Sequence, residues 1–245
     1  MKNTYLIIGS GRLAHHLKFW FASRGMEILG WDRSQDPHLL NGLIKKSTHI
    51  LLAIKDDAIQ SFHDRYLAGF DKKIIQFSGS QSFPGMQGAH PLMTFSHQLY
   101  DENFYEKINW MVEGSEPLPS IFPELKNPFF NLPVEKKPLY HALCVVGGNL
   151  PQILWSWIEK EANNLNIPKD VWEIYWETSL KNFVSQGPTA ITGPLVRNDK
   201  ATLDMDLAAL QQSSTTELAN IFQAFIKNFS SGTLTQNSQS KDVRL

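Results

Sequence analysis

Tyr5-Leu6-Ile7-Ile8-Gly9-Ser10-Gly11-Arg12-Leu13-Ala14 reads as a strand that turns sharply into a helix. Gly9 permits the tight turn, and Gly11 leaves room for a phosphate to approach the main chain. Ala14 lets the helix pack closely on the strand, and free N–H groups at the helix start attract an anion. Ser10, Arg12 and Leu13 complete the stretch expected to touch a dinucleotide. The helix predicted over Arg12 to Arg24 carries Leu13, Leu17, Trp20 and Phe21 at helical spacing. A second apolar run, Met26 to Trp31, ends in Asp32, 18 positions after Ala14. That is close to the roughly 20-residue offset of an acid that holds the adenosine ribose.

The residues after this second strand bear on the choice of cofactor. Asp32 suits the 2′-hydroxyl of NAD and repels a 2′-phosphate, whereas Arg33 suits the phosphate of NADP. Arg33 can also stack on adenine, and Ser34 can donate a hydrogen bond. The reading favours NADP, with NAD as the alternative; Arg33 as a solvated surface charge is the other reading of that residue.

Composition narrows the class. At 245 residues the chain is longer than one dinucleotide-binding unit needs, leaving room for a further modest domain. The formal net charge is −1 and basic blocks are absent, which disfavours binding nucleic acid through a charged surface. Cys144 is the single cysteine, so an internal disulfide is impossible and a cysteine-based metal site is disfavoured; no metal is expected. Met1-Lys2-Asn3 leads straight into the first strand, and apolar runs stay short of the ~18 residues of a membrane helix. The expectation is a soluble cytoplasmic protein that engages no membrane.

Further strand-like runs are His49 to Ile54, Lys73 to Phe77 and Asn109 to Glu113, with a short helix-like piece at Ser120 to Leu125 in the Pro-rich segment 117–133. Strands alternating with helices imply a doubly wound, mostly parallel sheet. Beyond Pro133 the pattern is helical. Leu139, Leu143, Val146, Leu150, Ile153, Leu154, Trp157 and Ile158 mark a long helix to about Leu165, with a kink expected at Gly147-Gly148 and Pro151. Further helices are expected over Lys169 to Ser185, Ala201 to Gln212 and Thr215 to Phe229, the last behind a Ser214-x-x-Glu217 capping box. The fold class is therefore an α/β Rossmann domain over 1–133 and an all-α domain over 134–229, with a polar tail over 230–245.

Ligands of such a sheet sit beyond the carboxyl ends of its strands. Ile54 and Lys55 end the third strand there, and Asp56 with Asp57 suits capping of the next helix. Ser78-Gly79 has the small size needed beside a nicotinamide ring, or forms a plain strand-ending turn. His90, between Ala89 and Pro91, is expected in an extended loop facing the cleft. It either moves a proton to a developing alkoxide or amine, or shapes the loop through backbone bonds. On the long helix His141 and Asn149 lie eight residues apart, on about one face; His141 is a second acid–base candidate or a core histidine. Lys181 reads as a surface lysine. Arg197 either binds a substrate anion or pairs with Asp199.

Gly9-x-Gly11-x-x-Ala14, Asp56-Asp57-Ala58-Ile59, Ser78-Gly79, His90-Pro91-Leu92 with Phe95, Tyr140-His141-Ala142 and Thr192-Gly193-Pro194-Leu195-x-Arg197-x-Asp199 occur together. The combination resembles the Rossmann-like proteins with a helical C-terminal domain of unknown function 2520. These are distant relatives of ketopantoate reductase, pyrroline-carboxylate reductase and 6-phosphogluconate dehydrogenase. The resemblance spans the chain to about Phe229. It implies an NAD(P)-binding domain, a cofactor between the two domains, reductase activity on a small-molecule substrate, and a homodimer formed through the helical domain. Two departures stand out. Lys55 replaces the small residue more frequent before the Asp pair, and the helix carrying Gly147-Gly148-Asn149 holds no lysine until Lys160, where dehydrogenase relatives place a catalytic one.

Two functions follow. One is a reductase acting on a carbonyl, imine or hydroxy acid, with His90 or His141 supplying the proton and Asn149 and Arg197 orienting the substrate. The other is a dinucleotide-binding sensor or assembly protein without turnover, which the missing lysine favours.

Overall fold

The computed structural model describes residues 2–229, which form two compact units divided between Gly148 and Asn149. The expected tail lies outside the described residues. In the first unit a seven-stranded sheet has the order β2-β1-β3-β4-β5-β6-β7. Its strands are β1 (Thr4–Ile8), β2 (Glu27–Trp31), β3 (His49–Leu52), β4 (Lys73–Gln76), β5 (Gln87–Pro91), β6 (Trp110–Glu113) and β7 (Phe129–Leu132). Neighbours pair in parallel except β5 with β6, so β6 and β7 run against the rest.

Strand alternation sorts the core onto two faces. Tyr5, Ile7, Leu51 and Ile75 pack with Leu17, Trp20 and Phe21 of α1 (Arg12–Ser23). Leu6, Ile8, Ile50, Leu52 and Ile74 meet Leu40 and Ile44 of α2 (Pro37–Lys46) and Ile59 of α3 (Asp56–Tyr66). Because both faces are covered, the central strands are apolar throughout, as in HILL of β3.

Two strands depart from the sequence reading. The segment of His90, expected as a loop, is β5; its Pro91 ends the strand, where the missing N–H leaves no ladder bond broken. β7 lies in the Pro-rich segment, where only a short helix at Ser120 to Leu125 was expected; the helix observed there is α5 (Leu118–Ile121), which starts two residues earlier and ends at Ile121. A four-residue helix, α4 (Glu102–Tyr105), precedes β6.

The predicted long helix is observed as α6 (Lys137–Cys144), a π-helical segment Val145–Asn149, and α7 (Leu150–Asn164), with Pro151 in the first turn of α7. The glycines and the proline thus interrupt the helix by a π segment. α6 belongs to the sheet unit and places Lys137, Tyr140 and His141 there.

The helical unit continues with α8 (Lys169–Gln186), α9 (Pro194–Arg197), α10 (Lys200–Gln211) and α11 (Thr216–Asn228). Trp155 of α7 stacks on Trp176 of α8 with ring centres 5.6 Å apart. Asp199 caps α10 through the N–H of Thr202. The expected capping box before α11 does not form: Thr215 is the cap residue, and the Ser214 hydroxyl is donated to Glu161 instead. No described helix is long and apolar enough to cross a membrane.

Candidate functional site

The order of β2, β1 and β3 places a reversal of chain direction across the sheet between β1 and β3, the point where doubly wound sheets open a crevice. Gly9 fills it with φ +131°, and a Cβ there would run into the carbonyl of Ala53 after β3. Only glycine fits this turn. The residues that follow at the start of α1 line a cavity of about 650 Å³.

The turn lines that cavity with Gly9, Ser10, Gly11, Arg12 and Leu13. Asp32 and Arg33 come from the end of β2, and Ile54 and Lys55 from the end of β3. Ala14 is buried against the core, as a close helix–strand contact requires. Trp31, Phe62 and Tyr66 form an aromatic wall, with Phe62 and Tyr66 ring centres 4.9 Å apart. Phe62 and Tyr66 were missed in the sequence, although their four-residue spacing on α3 was the available signal.

Asp32 closes its own turn. One carboxylate oxygen accepts from the N–H of Ser34 at 2.9 Å and from the Ser34 hydroxyl, and these bonds hold the carboxyl below its usual range. The Ser34 side chain is thus spent on Asp32 and does not line the cavity. Lys18 reaches the Gly9 carbonyl at 3.4 Å and bears electrostatically on Asp32.

A second cavity, of about 470 Å³, shares Ser10, Gly11 and Arg12 and adds His15, Ser96 and His97. Buried His16 ties this edge together: Nε2 lies 3.0 Å from the Ser96 carbonyl and Nδ1 2.7 Å from the Tyr105 hydroxyl. Burial lowers its pKa, so Nε2–H donates to the carbonyl and Nδ1 accepts from the phenol.

His90 lies near the carboxyl end of β5, with Nδ1 2.7 Å from the Tyr140 hydroxyl. Its ring faces that of His141 at 6.3 Å and 85°. Both imidazoles crowd Gly79, where a Cβ would stand 2.6 Å from Cδ2 of His141 and 3.1 Å from Nε2 of His90. The missing Cβ of Gly79 makes room for these two rings. Burial, with His141 and Lys137 nearby, pushes the His90 pKa down to about 4, so it is neutral at neutral pH. Burial and a bond to Cys144 raise that of the Tyr140 phenol, which stays protonated.

Ser78 donates its hydroxyl to Asp56, and its N–H donates to Gln76 at 2.7 Å. Asp56 therefore serves this network from the first turn of α3; neither Asp56 nor Asp57 is the cap residue, which is Lys55. Lys137, overlooked in the sequence, is 3% exposed and lies 2.7 Å from Glu113. Its spacing to Tyr140 and His141 on one helix face was the available signal. Asn149 opens the helical unit, and Arg197 ends α9 within it as an exposed residue.

The sheet order and the turn define a Rossmann-like protein with a helical region after it. Within this class the chain carries, over residues 109–228, a match to the family described as Domain of unknown function (DUF2520), the family it resembles in sequence. It is similar in fold to a candidate NADP oxidoreductase from Bacteroides fragilis at 18% identity and a TM-score of 0.76, covering 92% of this chain and 97% of that one. An imine reductase variant from Myxococcus stipitatus in complex with NAD+ shares 16% identity with a TM-score of 0.58 over 93% of each chain. A reductive aminase from Aspergillus terreus in complex with NADPH and ethyl levulinate shares 13% identity with a TM-score of 0.57 over 98% of this chain and 100% of that one. No curated protein matches the chain.

Proposed function

We propose that this protein is an NADP-dependent oxidoreductase acting on a small carbonyl, imine or hydroxy-acid substrate. The observation that carries the reading is the cavity at the glycine turn. It is lined by the glycine turn, by an aromatic wall, by one carboxylate, Asp32, and by the cations Arg12, Arg33 and Lys55. Trp31, Phe62 and Tyr66 suit a purine face, and three cations against one anion suit an added 2′-phosphate. The fold's likeness to proteins in complex with NADPH and NAD+ supports the same reading. A reduced nicotinamide supplies hydride to the substrate carbon, and the protein supplies the proton to oxygen or nitrogen. His90 is neutral and held by Tyr140, and His141, whose ring lies 6.3 Å from that of His90, is assigned the proton-delivering role.

Titration with NADPH and NADH tests this. Saturable binding, tighter for NADPH, is expected, and Arg33→Ala should weaken NADPH by about 1–3 kcal/mol while sparing NADH. Absence of binding by either nucleotide would sink the proposal; equal loss for both would remove the phosphate role of Arg33.

A homodimer through the helical unit is proposed with it. α8 has no buried residue, and Ile174, Tyr175, Leu180, Phe183 and Val184 are all exposed around it. A helix apolar on several sides needs a cover, and a second copy offers the same surface in return. Light scattering should give twice the chain mass, and Ile174→Glu with Val184→Glu should halve it; a monomeric wild type refutes the dimer.

A further inference from the structure

α6 turns Lys137, Tyr140 and His141 toward the sheet at i, i+3 and i+4, where β5 answers with Gly88 and His90 on one face. The first contact of this series is an ion pair between Lys137 and Glu113 at 2.7 Å, with both side chains almost wholly enclosed. Glu113 also accepts from the Ser82 hydroxyl and, at 3.4 Å, from the amide of Gln76. The pair occupies the space that a side chain on residue 88 would take. A Cβ on Gly88 would lie 2.8 Å from the Gln76 amide nitrogen and 2.9 Å from the Lys137 ammonium, and would collide with Glu113.

A buried pair gains little stability over apolar residues of the same size, because both ions lose their water. One turn along α6 come the contacts of Tyr140 and His141 with His90 and Gly79. We propose that Lys137 is a positioning residue of this site: its ion pair with Glu113 docks α6 on β5 and β6 so that Tyr140 and His141 are held against His90 and Gly79. The inference rests on the reading of this cluster as the proton-delivering part of the site. The Lys137 cation has a second effect. It bears on His90 together with His141, and both disfavour a charged imidazole there. Glu113 from β6 and the Tyr140 phenol and Cys144 thiol from α6 are further ionisable groups of this cluster. His90 therefore remains a fixed, neutral partner of Tyr140.

The test is imidazole nitrogen NMR on the full chain with labelled histidine, with His90 assigned from the spectrum of His90→Asn. In the wild type and in Lys137→Arg, His90 should hold one tautomer and stay neutral well below the usual histidine midpoint. In Lys137→Met its proton affinity should rise several-fold and both tautomers should appear. Should the unpaired Glu113 prevent Lys137→Met from folding, Lys137→Met with Glu113→Gln replaces it, with the same expectation. An unchanged His90 midpoint and tautomer in the folded variant overturns the proposal. Failure of the double variant to fold overturns it too, by making the pair a requirement of the fold. NADPH titration on the same samples separates the two readings. Its failure in the wild type removes the cofactor proposal, whereas the imidazole spectra decide the role of Lys137.

Discussion

At the glycine turn the chain packs backbone against backbone, and its fit depends on an atom that is missing. Along β5 and α6 the surface is side chain, and its fit depends on charges and hydrogen bonds that are present. Gly9 leaves the Ala53 carbonyl undisturbed. Gly79 and Gly88 also lack a Cβ, but the space goes to His141, His90, Lys137 and Glu113, which are brought from distant positions in the chain. The first region has no room for a side chain at Gly9. The second is sensitive to protonation, because its members hold one another through ionisable groups.

The sharpest way to break this contrast is Gly9→Ala. The added methyl meets the Ala53 carbonyl, and φ +131° is strained for any L side chain. A loss of stability on the order of 3 kcal/mol is expected, together with loss of measurable NADPH binding. Denaturant melts and a nucleotide titration check both. A variant that binds NADPH normally and melts like the wild type would show that the turn is not built around the missing atom.

The same contrast explains what was legible in the sequence. The turn, α1, β2 and Asp32 follow one another within a short stretch, so spacing alone exposes the unit. Trp31 was read only as the end of a strand, and Phe62 and Tyr66 reach the cavity from α3, with their four-residue spacing as the one local signal. β5 was hidden because Gln87-Gly88-Ala89-His90-Pro91 has neither an apolar run nor β-branched residues, and it forms only against β4 and β6. β7 was hidden by the prolines around Phe129–Leu132. Lys137 looked like one more charge in Glu135-Lys136-Lys137; only the pairing of β5 with β6 brings Glu113 to it.

Acid should separate the two regions at a smaller energetic scale. His90 has an ordinary pKa of 6.5 and one of about 4 in the folded protein, so folding favours its neutral form. Its contribution is fully present above 6.5 and is lost as pH falls toward 4, by about 3 kcal/mol in all. Asp32, at the turn, is held below its ordinary 3.8, so its contribution is lost only at lower pH. His16 and His49 also have lowered values and weaken the fold in the same direction, so wild type alone does not isolate His90. The difference between wild type and His90→Asn does. Unfolding free energies from urea melts should converge between the two proteins as pH drops from 7 toward about 4, because the asparagine has no proton to gain. If the two curves stay parallel across that window, His90 is not held neutral by its surroundings and the β5–α6 cluster is no more sensitive to acid than the turn.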